Sequence, residues 1–315
     1  MGVSRRDAIK AGAGAAVVFG VAAGAPRLPA QTGGLIKKTI PSSGEAITPV
    51  GIGTNRYGVG EAEDERAPLR DTMARFVELG GQVMDTAAVY STSEIVIGDL
   101  AAELGIRDDL FIVTKTDFRG QVTGAEGFQR AMDRLQTGMI DAFLVHNFAV
   151  GNMALTSEEL AAMRDWQAEG RIRYIGASTS SNGQHSLMEQ LLNSEEVQII
   201  QVNYSLGDRE SADRVLPLAM DKGVGVMVNV PFGGGGDSSL FDAVGDQELP
   251  AFAADFGASS WGQFFLKYII SHPAITVAIP GTRQVAHVED NIGAVMGRLP
   301  DASERQRMER WFDSL

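Results

Sequence analysis

The sequence predicts an α/β protein folded as a single (β/α)8 (TIM) barrel, with an N-terminal β-hairpin closing the bottom of the barrel. Short β-branched apolar runs alternate with amphipathic stretches from about residue 81 to residue 296, and this alternation is typical of repeated βα units around a parallel sheet. A chain of 315 residues is long enough for about eight such units. No G-x-G-x-x-G follows the first strand, which disfavours the rival fold, a doubly wound open sheet.

The barrel strands are predicted where short apolar runs are rich in β-branched residues. In chain order they are residues 49–53, 82–85, 110–115, 140–146, 172–177, 198–203, 224–230 and 275–279. Helices are predicted at residues 93–104, 124–136, 157–169, 211–222, 259–271 and 285–296. The third of these helices should begin with Ser157 as its N-cap and end at Gly170.

Two further elements lie outside this repeat. Residues 35–40 and 45–50 flank Pro41-Ser42-Ser43-Gly44, a composition that favours a turn, so the hairpin is predicted here. The sequence of residues 303–315 predicts one amphipathic helix. Its apolar residues follow helical spacing, so it should pack against the barrel wall and leave the barrel mouth open.

Four chemically reactive side chains stand at or just beyond the ends of successive apolar runs. Asp85, Lys115 and His146 each close a run, and Tyr90 follows Asp85 closely. Catalytic residues of barrel enzymes collect at the C-terminal ends of the strands, and charged groups there are costly to bury unless they are paired or used. Taken singly, Asp85 and Lys115 could be a structural ion pair and His146 a satisfied core histidine. The four together predict a catalytic site.

Several strings of residues in the same order carry a family resemblance that covers about residues 35–300. They are Met84-Asp85-Thr86-Ala87-Ala88-Val89-Tyr90, Val113-Thr114-Lys115, Ile140-Asp141-Ala142-Phe143-Leu144-Val145-His146, residues 170–178, residues 201–205, Ile279-Pro280-Gly281-Thr282-Arg283 and Glu289-Asp290-Asn291. In these strings the chain resembles the aldo-keto reductases.

The resemblance implies an NAD(P)H-dependent oxidoreductase that reduces aldehydes or ketones to alcohols, with sugars and other small carbonyl compounds as candidate substrates. Tyr90 would be the general acid that protonates the carbonyl oxygen. A free phenol has a pKa of about 10, and Lys115 would favour its ionised form. Asp85 would hold Lys115 and lie near the nicotinamide ribose, and His146 would hydrogen-bond the carbonyl oxygen.

The resemblance also implies a nucleotide site. Its residues would be Thr54, Asp85, Ser178, Thr179, Gln201, Phe232, Gly233, Gly281, Thr282, Arg283, His287, Asp290 and Asn291. Ser178, Thr179 and Gln201 fall where the family binds the nicotinamide carboxamide. Two positions depart from the family: an asparagine is common where Thr179 stands, and an aromatic residue that stacks on the nicotinamide is common where Asn229 stands. The bare backbone of residues 233–236 could approach the pyrophosphate, although a glycine run suits a flexible loop equally well.

The expected cofactor is NADP(H), with NAD(H) the less favoured choice. By resemblance, Gly281, Thr282 and Arg283 contact the 2′-phosphate, while Asp290 and Asn291 contact the adenine. Arg283 is permanently charged and matches phosphate geometry. His287 stands where a basic residue is common and carries at most a partial charge. The alternative interpretation of Arg283 is a solvated loop charge.

The N-terminal sequence predicts that the protein is exported. Ser4-Arg5-Arg6-Asp7-Ala8-Ile9-Lys10 resembles a twin-arginine (Tat) signal, although a large apolar residue is usual where Ala8 stands. The Ala- and Gly-rich stretch that follows is too short and too weakly apolar to span a membrane. We therefore expect a signal peptide at residues 1–30, a barrel at residues 31–315, passage through the twin-arginine translocase to the periplasm, and no stable membrane insertion.

Composition limits the partners. The formal net charge is −13, and an acidic surface repels nucleic acid. The chain has no cysteine and only scattered histidines, so no metal site is expected. The expected partner is a small carbonyl substrate. A second function stays open, that of a nucleotide-binding regulatory or interaction subunit with little turnover, because Thr179 and Asn229 depart from the family.

Overall fold

The computed structural model describes residues 34–116, 124–147, 153–234 and 239–315. The predicted signal peptide lies outside this part of the chain, and so do Gly235 and Gly236 of the glycine run. Within the described ranges, no helix has the length and apolar character that a membrane crossing needs.

Eight parallel strands form the barrel sheet, and each pairs with the next one along the chain. They are β3 (Ile52–Gly53), β4 (Val83–Asp85), β5 (Phe111–Lys115), β6 (Ile140–Val145), β7 (Ile172–Ser178), β8 (Ile199–Asn203), β9 (Gly225–Asn229) and β10 (Ile275–Ala278). Seven of them lie within their predicted spans, and β7 extends one residue beyond its span. The predicted (β/α)8 fold is therefore confirmed.

The first and last barrel strands close the ring. Isolated parallel bridges join Val50 to Ala278 and Gly53 to Gly281. A Cβ at Gly53 would lie 3.0 Å from the carbonyl oxygen of Ile279, so glycine permits the close approach of the two backbones. This seam brings the loop after β3 next to the loop after β10.

The hairpin consists of β1 (Lys38–Thr39) and β2 (Ala46–Ile47), paired antiparallel. Ile40 and Ile47 are 0 % and 2 % exposed. They belong to the apolar cluster inside the barrel, which includes Val83 at the start of β4. The prediction that the hairpin closes the barrel bottom is confirmed.

Ten helices surround the described barrel. They are α1 (Glu63–Glu78), α2 (Ser93–Leu104), α3 (Gly124–Leu135), α4 (Met153–Ala168), α5 (His185–Ser194), α6 (Val215–Asp221), α7 (Leu240–Val244), α8 (Trp261–Ile270), α9 (Val285–Gly293) and α10 (Ala302–Phe312). α2 has its predicted bounds. The sequence prediction omitted α1, α5 and α7.

Two predicted helix starts are wrong. α4 begins at Met153, so Ser157 lies inside the helix and is no N-cap; its hydroxyl donates to the Glu195 carboxylate at 2.6 Å. The continuous helix over residues 211–222 is replaced by a 3₁₀ turn followed by α6. Pro217 has no N–H for an i−4 carbonyl, which disfavours an uninterrupted helix through this region.

The C-terminal helix packs on the outside of the barrel. Met308 is 0 % exposed, and the Trp311 ring stacks on Trp261 of α8 with centroids 5.3 Å apart. A capping box between Asp301 and Glu304 begins the helix, as expected for this residue pair. The helix therefore packs as predicted.

Candidate active site

A cavity of about 670 Å³ opens at the C-terminal ends of the barrel strands. Among the predicted site residues, those in its wall are Thr54, Asp85, Tyr90, His146, Ser178, Thr179, Gln201, Phe232, Gly233, Gly281, Thr282, Arg283 and His287. Lys115 lies behind Asp85, and the wall does not include Asp290 or Asn291. Most residues of the predicted site therefore line this one cavity.

Asp85 and Lys115 form a buried ion pair at the base of the cavity. The Lys115 Nζ donates to both Asp85 carboxylate oxygens at 2.7 and 2.8 Å and to the Thr86 carbonyl at 2.7 Å. The two side chains end neighbouring strands, and Asp85 and Lys115 are 3 % and 1 % exposed. Burial raises the pKa of the Asp85 carboxyl, while the charge of Lys115 and hydrogen bonds from Lys115 and Gln201 oppose the rise.

Thr54 fixes the backbone of Asp85 from the neighbouring strand. Its N–H and its hydroxyl both donate to the Asp85 carbonyl, at 2.9 and 2.8 Å. Ser93, at the start of α2, donates in turn to the Thr54 hydroxyl at 3.0 Å. Ser93 was not predicted as a support of the site, because its partners are distant in sequence and no local pattern marks it.

Tyr90 lies beside the ion pair and faces His146. The Lys115 Nζ is 5.7 Å from the centroid of the Tyr90 ring, and the Tyr90 and His146 ring centroids are 6.0 Å apart at an interplanar angle of 87°. Burial raises the pKa of Tyr90; Lys115 opposes this effect and Asp85 adds to it. Lys115 favours the ionised phenol as predicted, but burial outweighs it, so the phenol holds its proton at neutral pH and can donate it.

His146 follows β6 and is 8 % exposed. Its backbone N–H donates to the Thr116 hydroxyl at 3.2 Å. The next residue, Asn147, donates its N–H to the Ser178 hydroxyl oxygen at 3.0 Å. This contact joins the ends of β6 and β7 and leaves the hydroxyl hydrogen of Ser178 available as a donor.

An amide network crosses the wall between β8 and β9. The Gln201 Nε2 donates to Asp85 Oδ1 at 2.8 Å. The Asn229 Nδ2 donates to the Thr179 carbonyl at 2.7 Å and approaches Gln201 Oε1 at 3.5 Å. The other end of this amide, Asn229 Oδ1, is buried and has no hydrogen-bond partner among the described residues. A donor from a bound molecule would satisfy it.

The far end of the cavity is basic. Arg56, Arg283 and His287 line it, and Arg283 donates to the Arg56 carbonyl at 3.4 Å. Across the described part of the chain, neither arginine forms an ion pair. Arg56 was missed by the sequence prediction, although its place just after the first barrel strand could have indicated it.

Asp290 is engaged elsewhere. Its carboxylate accepts from Ser260 at 2.8 Å and from Gln263 at 3.0 Å, both at the start of α8. Asn291 is 7 % exposed. Neither Asp290 nor Asn291 lines the cavity, and their contacts with the adenine stay a prediction.

The donor and acceptor set fits a nicotinamide dinucleotide. The basic groups in the wall suit phosphates, and the unsatisfied acceptor suits a carboxamide. Gly233 and Gly234 also line the cavity; their φ angles of 70° and 81° are ones that glycine adopts freely, and they present bare backbone. Among the residues with described positions, no cluster of His, Cys, Asp or Glu could hold a metal ion.

The sequence is similar to two known reductases. Methylglyoxal reductase YeaE of Escherichia coli (strain K12) is 29% identical to the chain over 274 residues, which cover 84% of the chain and 92% of that protein. The NADH-specific methylglyoxal reductase of the same organism is 27% identical over 211 residues, which cover 59% of the chain and 64% of that protein.

The fold is also similar to that of a solved reductase structure. The aldo/keto reductase from Klebsiella pneumoniae in complex with NADPH has a TM-score of 0.68 and 25% identity, and the match covers 88% of the chain and 96% of that protein. The family model described as Aldo/keto reductase family matches residues 49–309. Because this match spans the whole barrel and its site, the chain belongs to the aldo/keto reductase family.

Proposed function

We propose that the chain is an NADP-dependent aldo-keto reductase that converts aldehydes or ketones to alcohols, with Tyr90 as the general acid. The observation that carries the proposal is the placement of four groups at one cavity. The buried Asp85–Lys115 pair forms its base, and the rings of Tyr90 and His146 lie beside it in an edge-to-face arrangement.

The chemistry of reduction assigns a role to each of these residues. When bound, the cofactor supplies a hydride to the carbonyl carbon, and the carbonyl oxygen then needs a proton. Tyr90 donates that proton, because burial keeps its phenol protonated at neutral pH. Lys115 stabilises the phenolate that remains. Asp85 holds Lys115 in place, and His146 orients the carbonyl oxygen by a hydrogen bond.

The cofactor preference rests on charge. Arg56 and Arg283 line one end of the cavity in a chain whose formal net charge is −13. Arginine binds phosphate through two parallel hydrogen bonds. These residues should therefore bind the 2′-phosphate of NADP(H) more strongly than the 2′-hydroxyl of NAD(H). NADP(H) is therefore the preferred cofactor and NAD(H) the weaker one.

The substrate is a small carbonyl compound. Residues of α10 do not line the cavity, so this helix adds no wall that would select a large substrate. The wall near Tyr90 is polar, with Asn147 and Ser180 among its residues. Because two relatives are methylglyoxal reductases, methylglyoxal is the first compound to test, followed by sugars and simple aldehydes.

The test is a substrate panel with the full chain, monitored by nicotinamide absorbance with NADPH and with NADH. Turnover of at least one carbonyl compound, faster with NADPH, supports the proposal. Tight NADPH binding without turnover of any panel member points instead to the regulatory subunit that the departures at Thr179 and Asn229 left open.

We also propose that residues 1–30 direct export through the twin-arginine translocase to the periplasm. The support is the Arg5-Arg6 pair followed by a weakly apolar stretch rich in Ala and Gly. This route carries folded proteins, so the reductase would cross the membrane with its nucleotide already bound.

A further inference from the structure

The cavity wall at the end of β9 carries an acceptor that the described chain leaves unsatisfied. The side-chain oxygen of Asn229 is enclosed and has no hydrogen-bond partner among the described residues. Such a group costs free energy unless water or a ligand completes it. Asn229 as a whole is partly exposed and lines the cavity. A ligand in the cavity would therefore lie beside this side chain, close to its unsatisfied oxygen.

The orientation of this amide is set by its neighbours. The Asn229 nitrogen contacts two acceptors, the Thr179 carbonyl at 2.7 Å and Gln201 Oε1 at 3.5 Å. Exchanging the nitrogen and oxygen of the amide would place oxygen against oxygen at both contacts. The nitrogen is thus fixed on the protein side, and the oxygen is left for a donor from elsewhere.

The backbone beside Asn229 is strained. Val230 has a φ angle of 50°, a region that β-branched residues rarely adopt. Strain of this kind concentrates at ligand sites, where the surrounding structure holds it in place. The Val230 carbonyl accepts from the Gly233 N–H at 2.9 Å. The resulting turn holds Asn229 at the cavity wall.

The hydrogen-bonding groups around Asn229 match a primary carboxamide. Gln201 Oε1 and Asn229 Oδ1 are acceptors, one for each hydrogen of an amino group. The Ser178 hydroxyl already accepts from the Asn147 N–H, so it is free to donate to a carbonyl oxygen. Thr179, which the family resemblance places beside the carboxamide, is the residue whose backbone carbonyl holds Asn229.

We propose that Asn229 binds the nicotinamide carboxamide, accepting a hydrogen bond from its amino group through the side-chain oxygen. The inference rests on the proposed function, because it takes a nicotinamide dinucleotide as the ligand. It assigns a binding role to a residue at a position where, by resemblance, the family often has an aromatic residue. Asn229 would recognise the carboxamide by hydrogen bonding instead of stacking on the ring.

The test compares two nucleotides that differ only in this amino group. In 3-acetylpyridine adenine dinucleotide phosphate, a methyl group replaces the amino group of NADP⁺ and the carbonyl oxygen is kept. Dissociation constants are measured by calorimetry for wild type and Asn229→Leu, with no substrate present. If NAD⁺ is the nucleotide that binds, the NAD⁺ pair replaces the NADP⁺ pair.

The expected result is a loss of discrimination. Wild type should bind NADP⁺ more tightly than the analogue. In Asn229→Leu that preference should fall by roughly 5- to 100-fold, through weaker NADP⁺ binding and nearly unchanged analogue binding. Ser178→Ala should weaken both nucleotides alike, because both keep the carbonyl oxygen. Met227→Leu, a similar-sized change in the barrel interior on the same strand, should alter neither constant.

Equal discrimination in wild type and Asn229→Leu would overturn the inference while leaving the proposed function intact. Wild type that binds neither nucleotide would overturn both. Thermal melting checks that the Leu variant folds. Should it not fold, Asn229→Ala, which also removes the acceptor, gives the same comparison.

Discussion

Removing Lys115 should be one of the most damaging single changes in the molecule, and the damage should depend on pH. Lys115→Met keeps the length of the side chain but deletes a cation that makes three hydrogen bonds, two of them to Asp85. Breaking a fully buried ion pair on one side costs roughly 3–5 kcal/mol, because the remaining charge has no partner. We expect a loss of this size in the free energy of unfolding at pH 7, measured by urea denaturation.

The sign of the pH dependence follows from Asp85. Burial already raises the pKa of its carboxyl in the folded protein, and Lys115 opposes the rise. Without Lys115 the folded pKa moves further above the unfolded value of about 3.9. A carboxyl with a raised folded pKa destabilises the fold above its unfolded pKa, and this effect vanishes as the pH falls to that value. The deficit of the variant should therefore be largest at pH 7 and shrink toward pH 4.

Two further variants make the reasoning refutable. Asp85→Asn combined with Lys115→Met removes both charges, so the double variant should be more stable than the sum of the single losses by roughly 1–3 kcal/mol. Lys267→Met is the matched control, because Lys267 is equally buried but bonds the carbonyls of Met296 and Arg298. Burial lowers the pKa of Lys267 to about 8, so it stays charged from pH 4 to 7 and its loss should not vary there. The buried-pair argument would be contradicted if the two single losses in the free energy of unfolding added up in the double variant. It would also be contradicted if the loss in Lys115→Met did not change with pH.

Four other changes have definite expected outcomes. Tyr90→Phe should lower kcat by roughly 10²- to 10⁴-fold while leaving the NADP⁺ dissociation constant nearly unchanged; turnover close to wild type would remove Tyr90 from its role. Arg283→Ala should weaken NADP⁺ by roughly 10- to 100-fold and NAD⁺ far less, as calorimetry with both nucleotides would show, and equal losses would rule out 2′-phosphate recognition. Replacing Arg5 and Arg6 with Lys keeps the charge but should leave the precursor in the cytoplasm, and periplasmic enzyme found on fractionation would refute the signal. Trp311→Ala removes the stack on the barrel wall, so it should lower the melting temperature yet keep the relative rates across the substrate panel; a changed order of rates would place α10 at the pocket.

The strands could be predicted because each is a short apolar run that ends at a polar residue. Asp85 and Lys115 end β4 and β5 as expected, and the parallel order then brings their side chains together. The helices were harder to predict. α1 was missed although Leu69, Met73 and Phe76 are buried at helical spacing, because Pro68 lies inside it and proline usually ends a helical pattern.

The far end of the cavity shows the limit of local patterns. The place of Arg56 just after the first barrel strand could have indicated it, but its contact with Arg283 depends on the closing seam of the barrel, and no sequence spacing records that contact. The resemblance predicts that Asp290 contacts the adenine, and its carboxylate in the structure accepts from Ser260 at the start of α8. Whether a carboxylate faces a cavity or a helix end depends on the packing of neighbouring elements, which the linear motif does not specify.

The seam and the hairpin also set the order in which the protein can be completed during synthesis. Lys38 donates to the carbonyls of His272 and Ile275, so the barrel bottom is finished only after nearly the whole chain has left the ribosome. Contacts so distant in sequence form late and slowly, and until then the open sheet exposes unpaired edges and apolar surface. A signal at residues 1–30 would leave the ribosome well before the barrel closes. An export route that accepts only finished proteins would therefore have to hold this precursor until its last strand has joined its first.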